Sequence, residues 1–209
     1  MERPASWYLD YLVNHIHRSI VATVDDDGLP VTAAIDMMLA DEDGVYFLTA
    51  RGKNFYDRLI ARQFLALTAM KGKDTMSSVA LSLRGKVREV GLGYLDALLE
   101  HNPYMYGIYP TEESRQALTV FKIYEGEGEW FDLSAKPIDR ASFAFGGAEA
   151  TTHGYFVDES RCIGCESCLP VCPQSCIAME DGTARISQAH CLHCGRCAEA
   201  CPEEAIEKR

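Results

Sequence analysis

The first 161 residues of this 209-residue chain contain no cysteine, whereas the last 48 contain nine. That imbalance excludes a chain stapled throughout by disulfides. It also divides the sequence into a region that must build a conventional apolar core and one too short for much of a core. Nowhere is there a run approaching the roughly twenty apolar residues that a membrane span needs. The N-terminus, Met1-Glu2-Arg3-Pro4, lacks a basic stretch followed by an apolar one, so no secretory leader is indicated. Together these features predict a cytoplasmic protein without membrane contact, in a compartment where thiols stay reduced. Basic residues are scarce: 20 Lys and Arg against 31 Asp and Glu leave a net charge of −11. Residues 151–209 hold nine acidic and five basic residues, net −4, leaving −7 for the rest. Such a surface repels phosphate backbones and argues against nucleic acid as a partner. Nucleotide signatures are missing too. Gly91-x-Gly93 lacks the rest of a dinucleotide fingerprint and there is no Walker loop, so neither a Rossmann site nor ATP hydrolysis is indicated.

The cysteines themselves are ordered. Cys162-x-x-Cys165-x-x-Cys168-x-x-x-Cys172-Pro173 is repeated 29 residues later as Cys191-x-x-Cys194-x-x-Cys197-x-x-x-Cys201-Pro202. The match continues, since Cys172-Pro173-x-x-Cys176-Ile177 parallels Cys201-Pro202-x-x-Ala205-Ile206. A cubane iron–sulfur cluster needs one thiolate on each of four irons. Two-residue gaps let a tight loop wrap three corners, and in two-cluster ferredoxins the fourth cysteine of each run ligates the other cluster. The expected ligands are therefore Cys162, Cys165, Cys168 and Cys201 for one 4Fe–4S cluster, and Cys191, Cys194, Cys197 and Cys172 for the other. Zinc also uses Cys-x-x-Cys pairs, but two interleaved three-cysteine loops, each followed by x-x-x-Cys-Pro, are not a zinc pattern. His190 and His193 flank Cys191, yet a full set of cysteines leaves a Rieske centre no need of them. Cys176 occupies the slot of Ala205 in the other copy and is expected to be a small buried residue. Residues 153–209 resemble the bacterial two-cluster ferredoxins on this motif.

Ahead of the cysteines the pattern is mostly strand. Residues 5–16 read as an amphipathic helix with Tyr8, Leu12 and Ile16 on one face and Ser6 as its cap. His15 and His17 do not share a helix face and read as surface histidines. Strands are expected at 19–24, 30–39, 45–49, 64–70 and 79–90, divided by the acidic turns 25–28 and 41–44 and by a helix at 54–62. Helices at 93–100 and 112–118 flank the Pro- and Tyr-rich stretch 102–110. Residues 119–124 and 129–133 read as a hairpin across Glu125-Gly126-Glu127-Gly128. Several antiparallel strands with short turns imply a closed β architecture. Residues 143–154 have a linker composition. The expected division is a barrel domain over 1–145, a linker over 146–154 and a ferredoxin domain over 155–209.

A second constellation lies where the third strand runs through Thr49-Ala50-Arg51-Gly52-Lys53 into a helix starting at Asn54. Free amides at a helix N-terminus attract anions. Arg51 can hold phosphate through its fork and Lys53 as a point charge. With the preceding strand and acidic turn, residues 10–145 resemble the FMN-binding split barrel of the pyridoxamine 5′-phosphate oxidase-like family. The resemblance implies a mainly β and α+β protein that dimerises through the barrel with FMN between subunits. Thr32, Ala33, Ala34, Ile35 and Asp36 would line the isoalloxazine, and Leu48, Thr49, Ala50, Arg51, Lys53 and Asn54 the ribityl and phosphate. Trp130 would either pack in the core or touch flavin across the dimer. The Ser-Arg-Lys run of the true oxidases falls on Lys53, Asn54 and Phe55 here, and their substrate signature is missing near 130–137. The resemblance therefore carries over the fold and the flavin, not vitamin B6 chemistry.

These readings predict a flavin–iron–sulfur oxidoreductase that passes electrons between two 4Fe–4S clusters and FMN. Its partner would be a redox protein or a small-molecule electron donor or acceptor. A carrier without a substrate of its own and a flavin-binding redox sensor are the other functions that this pattern accommodates.

Overall fold

Alternation of apolar and polar residues decides which face of each strand turns inward. The computed structural model describes residues 3–209; Met1 and Glu2, which entered the leader argument, lie outside the described residues. In β1 (Arg18–Val24), Ser19, Val21 and Thr23 point to the core while Ile20 and Val24 point out. β2 (Pro30–Asp36), β3 (Leu39–Asp41), β4 (Gly44–Ala50), β5 (Phe64–Lys71), β6 (Val79–Gly91), β7 (Leu118–Asp132) and β8 (Asp139–Phe145) complete one antiparallel sheet. Its order is β2-β1-β5-β6-β7-β4-β3, with β8 on β7.

The two edges of that order are joined in sequence. Instead of one strand over 30–39, the chain breaks at Met37 and Met38, both buried. Met37 donates its amide to His17 O (2.8 Å) and Met38 donates to Tyr46 O (2.8 Å). The chain thus stops pairing with β1 and begins pairing with β4, so one continuous segment links the two ends of the strand order. β4 lies innermost: Gly44 to Thr49 are all buried.

Helix α1 (Ala5–Tyr11) plugs one end of the barrel with Tyr8 and Leu9. Pro4, not Ser6, stands at its N-cap, and no side chain caps it. The helix continues as a widened turn, Leu12–Ile16, where His17 N reaches Leu12 O (2.7 Å). His17 then takes a φ of +70°, which ends the helix and turns the chain into β1. α2 (Asn54–Arg62) spans the expected residues and buries Phe55 and Leu59. α3 (Leu95–His101), α4 (Met105–Ile108) and α5 (Glu112–Arg115) cover the other end, α5 stopping short of the expected 118 because Leu118 is already pairing with Ala50 in the sheet.

The expected hairpin at 119–133 is instead the single 15-residue strand β7. Gly126 and Gly128 are not turn residues. A Cβ on Gly126 would stand 2.5 Å from Arg84 O, and one on Gly128 would stand 2.4 Å from the Phe143 ring. Glycine serves here for close approach between neighbouring strands. Phe143 and Phe145, which fall in the stretch of linker composition, are buried residues of β8.

The C-terminal region folds as two copies of one unit. β9 (Tyr155–Val157) pairs with β12 (Ile206–Lys208), and β11 (Thr183–Ile186) pairs with β10 (Ile177–Glu180). The pairs Ile206↔Val157 and Ile177↔Ile186 are equivalent under the 29-residue shift. Left-handed backbone recurs in the same register, at Gly164 and His193, Glu166 and Gly195, Ser175 and Glu204. Each copy makes the same loop.

Between the regions, Thr151 donates its amide to Glu127 Oε2 (2.9 Å), while Arg84 Nε donates to Oε1 (2.8 Å). The Thr151 amide, then the Arg84 guanidinium, hold the Glu127 carboxyl down at about 2, against an ordinary 4.5. A depressed carboxylate stabilises the fold above its unfolded pKa, and that contribution disappears as pH falls from about 4.5 towards 2. Glu127→Gln should therefore flatten the acid limb of stability between those values; an acid limb identical to the parent's in a urea-midpoint series would refute the contact. No helix among the described residues is long and apolar enough to cross a membrane.

Candidate functional site

Two cavities open inside the duplicated region. One is lined by Cys162, Cys165, Cys168 and Cys201, the other by Cys172, Cys191, Cys194 and Cys197. The fourth cysteine of each run thus faces the cavity wrapped by the other run. The cause is the chain path: Cys172 and Cys201 each end a loop just before the strand that carries the chain across the domain. Among the described residues no three His, Cys, Asp or Glu side chains converge tightly enough to hold a single metal ion. Four cysteines instead face one small shared space in each cavity. All nine cysteines are free thiols. Backbone amides point at sulfur, His193 N to Cys191 Sγ (3.4 Å) and Ala205 N to Cys201 Sγ (3.3 Å). Such bonds favour thiolate and tune cluster potential. Cys176 and Ala205 line equivalent positions of the two cavities. Burial, then the Cys172 thiol 3.5 Å away, push the Cys176 thiol up to about 12.

A separate groove of about 380 Å³ lies on the barrel, within the range of about 300–1,000 Å³ usual for small-molecule pockets. β2 supplies Ala34, Ile35 and Asp36, β4 supplies Leu48, Thr49 and Ala50, and Lys53 comes from the turn before α2. Thr49 is 3% exposed, and its Oγ1 is buried without a hydrogen-bond partner among the described residues. A buried hydroxyl left unbonded costs about 1–3 kcal/mol, so a ligand that bonds it recovers that cost. The Lys53 ammonium makes no ion pair among the described residues and also borders the groove.

Five candidates do not line it. Thr32 and Ala33 lie farther along β2, and Asn54 opens α2. Arg51 turns away: its Nη1 donates to Gln116 O (3.2 Å) and its Nε lies 3.5 Å from Glu89 Oε1. Glu89 is 38 residues away in sequence, and nothing in the turn announces it. Trp130 is 2% exposed and sits under α1, edge-on to Trp7 and Tyr11, its indole N–H donating to Asp139 Oδ2 (3.0 Å).

Sequence reasoning missed the opposite wall, made by Arg18, Tyr104, Met105, Ile108 and Tyr109. Buried Asn102 fixes this wall by donating Nδ2 to Met38 O (2.9 Å) and Leu98 O (2.8 Å). Tyr104 OH then donates to Asp36 Oδ2 (2.8 Å) and lies 2.9 Å from His17 Nε2. With the hydroxyl proton committed to Asp36, His17 Nε2–H is the donor to Tyr104. His17, read as a surface histidine, is therefore joined to the groove. Burial, then the Asp36 carboxylate, push the Tyr104 phenol well up, so it stays protonated as that donor.

Comparison with known proteins separates the two halves. Residues 149–205 match the family model described as a 4Fe-4S dicluster domain. They form a dicluster domain. No curated protein matches the chain in sequence. Among solved structures, a NimC/NimA family protein from Clostridium acetobutylicum aligns at 15% identity with a TM-score of 0.53, covering 64% of this chain and 87% of that one. A heme binding protein from Mycobacterium smegmatis aligns at 12% identity and TM-score 0.50, covering 68% and 60%. A protein of the pyridoxinephosphate oxidase family related to general stress protein 26, also from C. acetobutylicum, aligns at 18% and 0.49, covering 64% and 89%. At such identities the likeness is one of fold. The chain joins a split-barrel fold to a dicluster domain, and the dicluster domain suggests redox electron transfer.

Proposed function

We propose that this chain is a flavin–iron–sulfur oxidoreductase whose barrel groove binds FMN and whose eight repeated cysteines hold two 4Fe–4S clusters. The observation that carries the flavin reading is the groove itself, where seven of the expected FMN residues meet around the unpartnered Thr49 hydroxyl and the Lys53 ammonium. FMN supplies a centre that takes electrons singly or in pairs, while each cubane takes one. The residues do the rest. Thr49 Oγ1 and the Lys53 ammonium bind the polar tail, and Ala34, Ile35 and Leu48 give the ring an apolar wall. Asp36, Tyr104 and His17 keep one exchangeable proton on each link of a hydrogen-bonded chain at the groove's mouth. A groove that delivers protons beside electrons favours an enzyme reducing a small substrate over a bare carrier. Dimerisation through the barrel fits the exposed apolar residues Ile20, Val24, Phe64 and Met70 on β1 and β5.

The test is anaerobic purification of the full chain, with visible spectrum, flavin identification and iron count. About eight irons and one FMN per chain are expected. Lys53→Ala should weaken FMN by about 1.5–3 kcal/mol, the scale of a charge-assisted hydrogen bond, and leave riboflavin binding unchanged. Equal losses for both ligands, read by fluorescence titration, would contradict the phosphate assignment. Arg51→Ala should have the smaller effect, because Glu89 and Gln116 already hold the guanidinium.

A further inference from the structure

The duplication allows the two cluster cavities to be compared position by position, and their surroundings differ. At the first cavity stand Ile163, Glu166 and Glu203; the 29-residue equivalents at the second are Leu192, Gly195 and Gln174. Ile163 is 65% exposed, whereas Leu192 is half-buried. The second loop faces the barrel: His190 Nδ1 meets Ile138 O at 2.7 Å, and Gln188, His190 and His193 border the cleft against β8. Among the described residues, no hydrogen bond or ion pair joins residues 158–172 to the barrel. One copy of the unit thus carries an exposed apolar tip and two exposed carboxylates at its cavity, and the copy whose loop meets the barrel carries neither carboxylate.

We propose that the rim of the first cavity, Ile163 with Glu166 and Glu203, is the docking face for a one-electron carrier protein with a basic contact surface, while the second cavity serves the barrel. The proposal rests on the two-cluster reading above and adds the port and the partner's chemistry. Opposite charge steers encounter and weakens with salt, whereas the apolar tip gives a contact that salt leaves in place. The redox step exchanges a single electron: the carrier is oxidised as the first cluster is reduced, or the reverse, and no bond is made or broken.

A basic c-type cytochrome in its ferric form serves as probe. Holoprotein with dithionite-reduced clusters is mixed with it in stopped flow, each cluster electron converting one ferric haem to ferrous. Glu166→Gln with Glu203→Gln should lower the bimolecular rate at low ionic strength about five- to tenfold and flatten its salt dependence. Asp26→Asn with Asp27→Asn removes the same charge from an exposed barrel turn and should change the rate less than twofold. Ile163→Ser should slow transfer at high and low salt alike. Equal losses from the two double variants would show a net-charge effect and overturn the proposal, as would a Glu166/Glu203 variant that behaves like the parent. Iron content and visible spectrum, unchanged in each variant, confirm intact clusters. Since the assay reads only clusters and haem, its failure leaves the flavin reading standing, and absence of FMN leaves the docking result standing.

Discussion

Cys172→Ala should destroy the cluster wrapped by Cys191, Cys194 and Cys197 and spare the one wrapped by Cys172's own neighbours. The iron count should fall from about eight to about four per chain, with one cubane spectrum remaining. The reason is geometric: Cys172 lines the cavity of the second loop, and Cys201 that of the first. Cys201→Ala should give the mirror result. Cys176→Ala should leave iron unchanged, because its equivalent in the other copy is already Ala205. Paramagnetic resonance of reduced variants separates the two clusters. Loss of the first-loop cluster in Cys172→Ala would mean that each run ligates its own centre.

The second large effect is on stability. Phe143 stacks on Tyr8 at 4.5 Å and 10°, is 5% exposed, and lies over Gly128. Phe143→Ala removes a buried aromatic ring from the seam between α1 and β8, at a cost of about 3–5 kcal/mol. That is a large share of the roughly 5–15 kcal/mol that holds a domain together. Both tryptophans of the chain, Trp7 and Trp130, touch this seam, so their fluorescence in a urea titration reports the barrel alone. Ala150→Ser, in the exposed stretch just beyond, should stay within about 0.5 kcal/mol of the parent. A Phe143→Ala cost below 1 kcal/mol would contradict its burial in this seam.

The division of this seam shows what a sequence reveals and what it hides. The duplicated cysteines were legible because ligand number and loop length constrain spacing directly, whereas the pairing of each fourth cysteine with the other run came from the resemblance to two-cluster ferredoxins. α2 was legible because Phe55 and Leu59 recur four residues apart on its buried face, although neither end carries a capping residue. β7 was not, because Gly126 and Gly128 look like turn residues until Arg84 and Phe143 are seen pressing on them. Nor could spacing show that Glu89 takes up Arg51, or that Asn102 holds Tyr104 beside Asp36 and His17. Those contacts join elements between 30 and 90 residues apart, and only the folded barrel brings them together.

The most direct measurement is stopped-flow reduction of the clusters in FMN-loaded protein, followed at flavin wavelengths over a range of protein concentrations. One chain, or one dimer, containing both centres predicts a first-order flavin rate that is the same at every concentration. A rate rising in proportion to concentration would mean that the clusters serve an outside partner only, and would contradict coupling between dicluster domain and barrel.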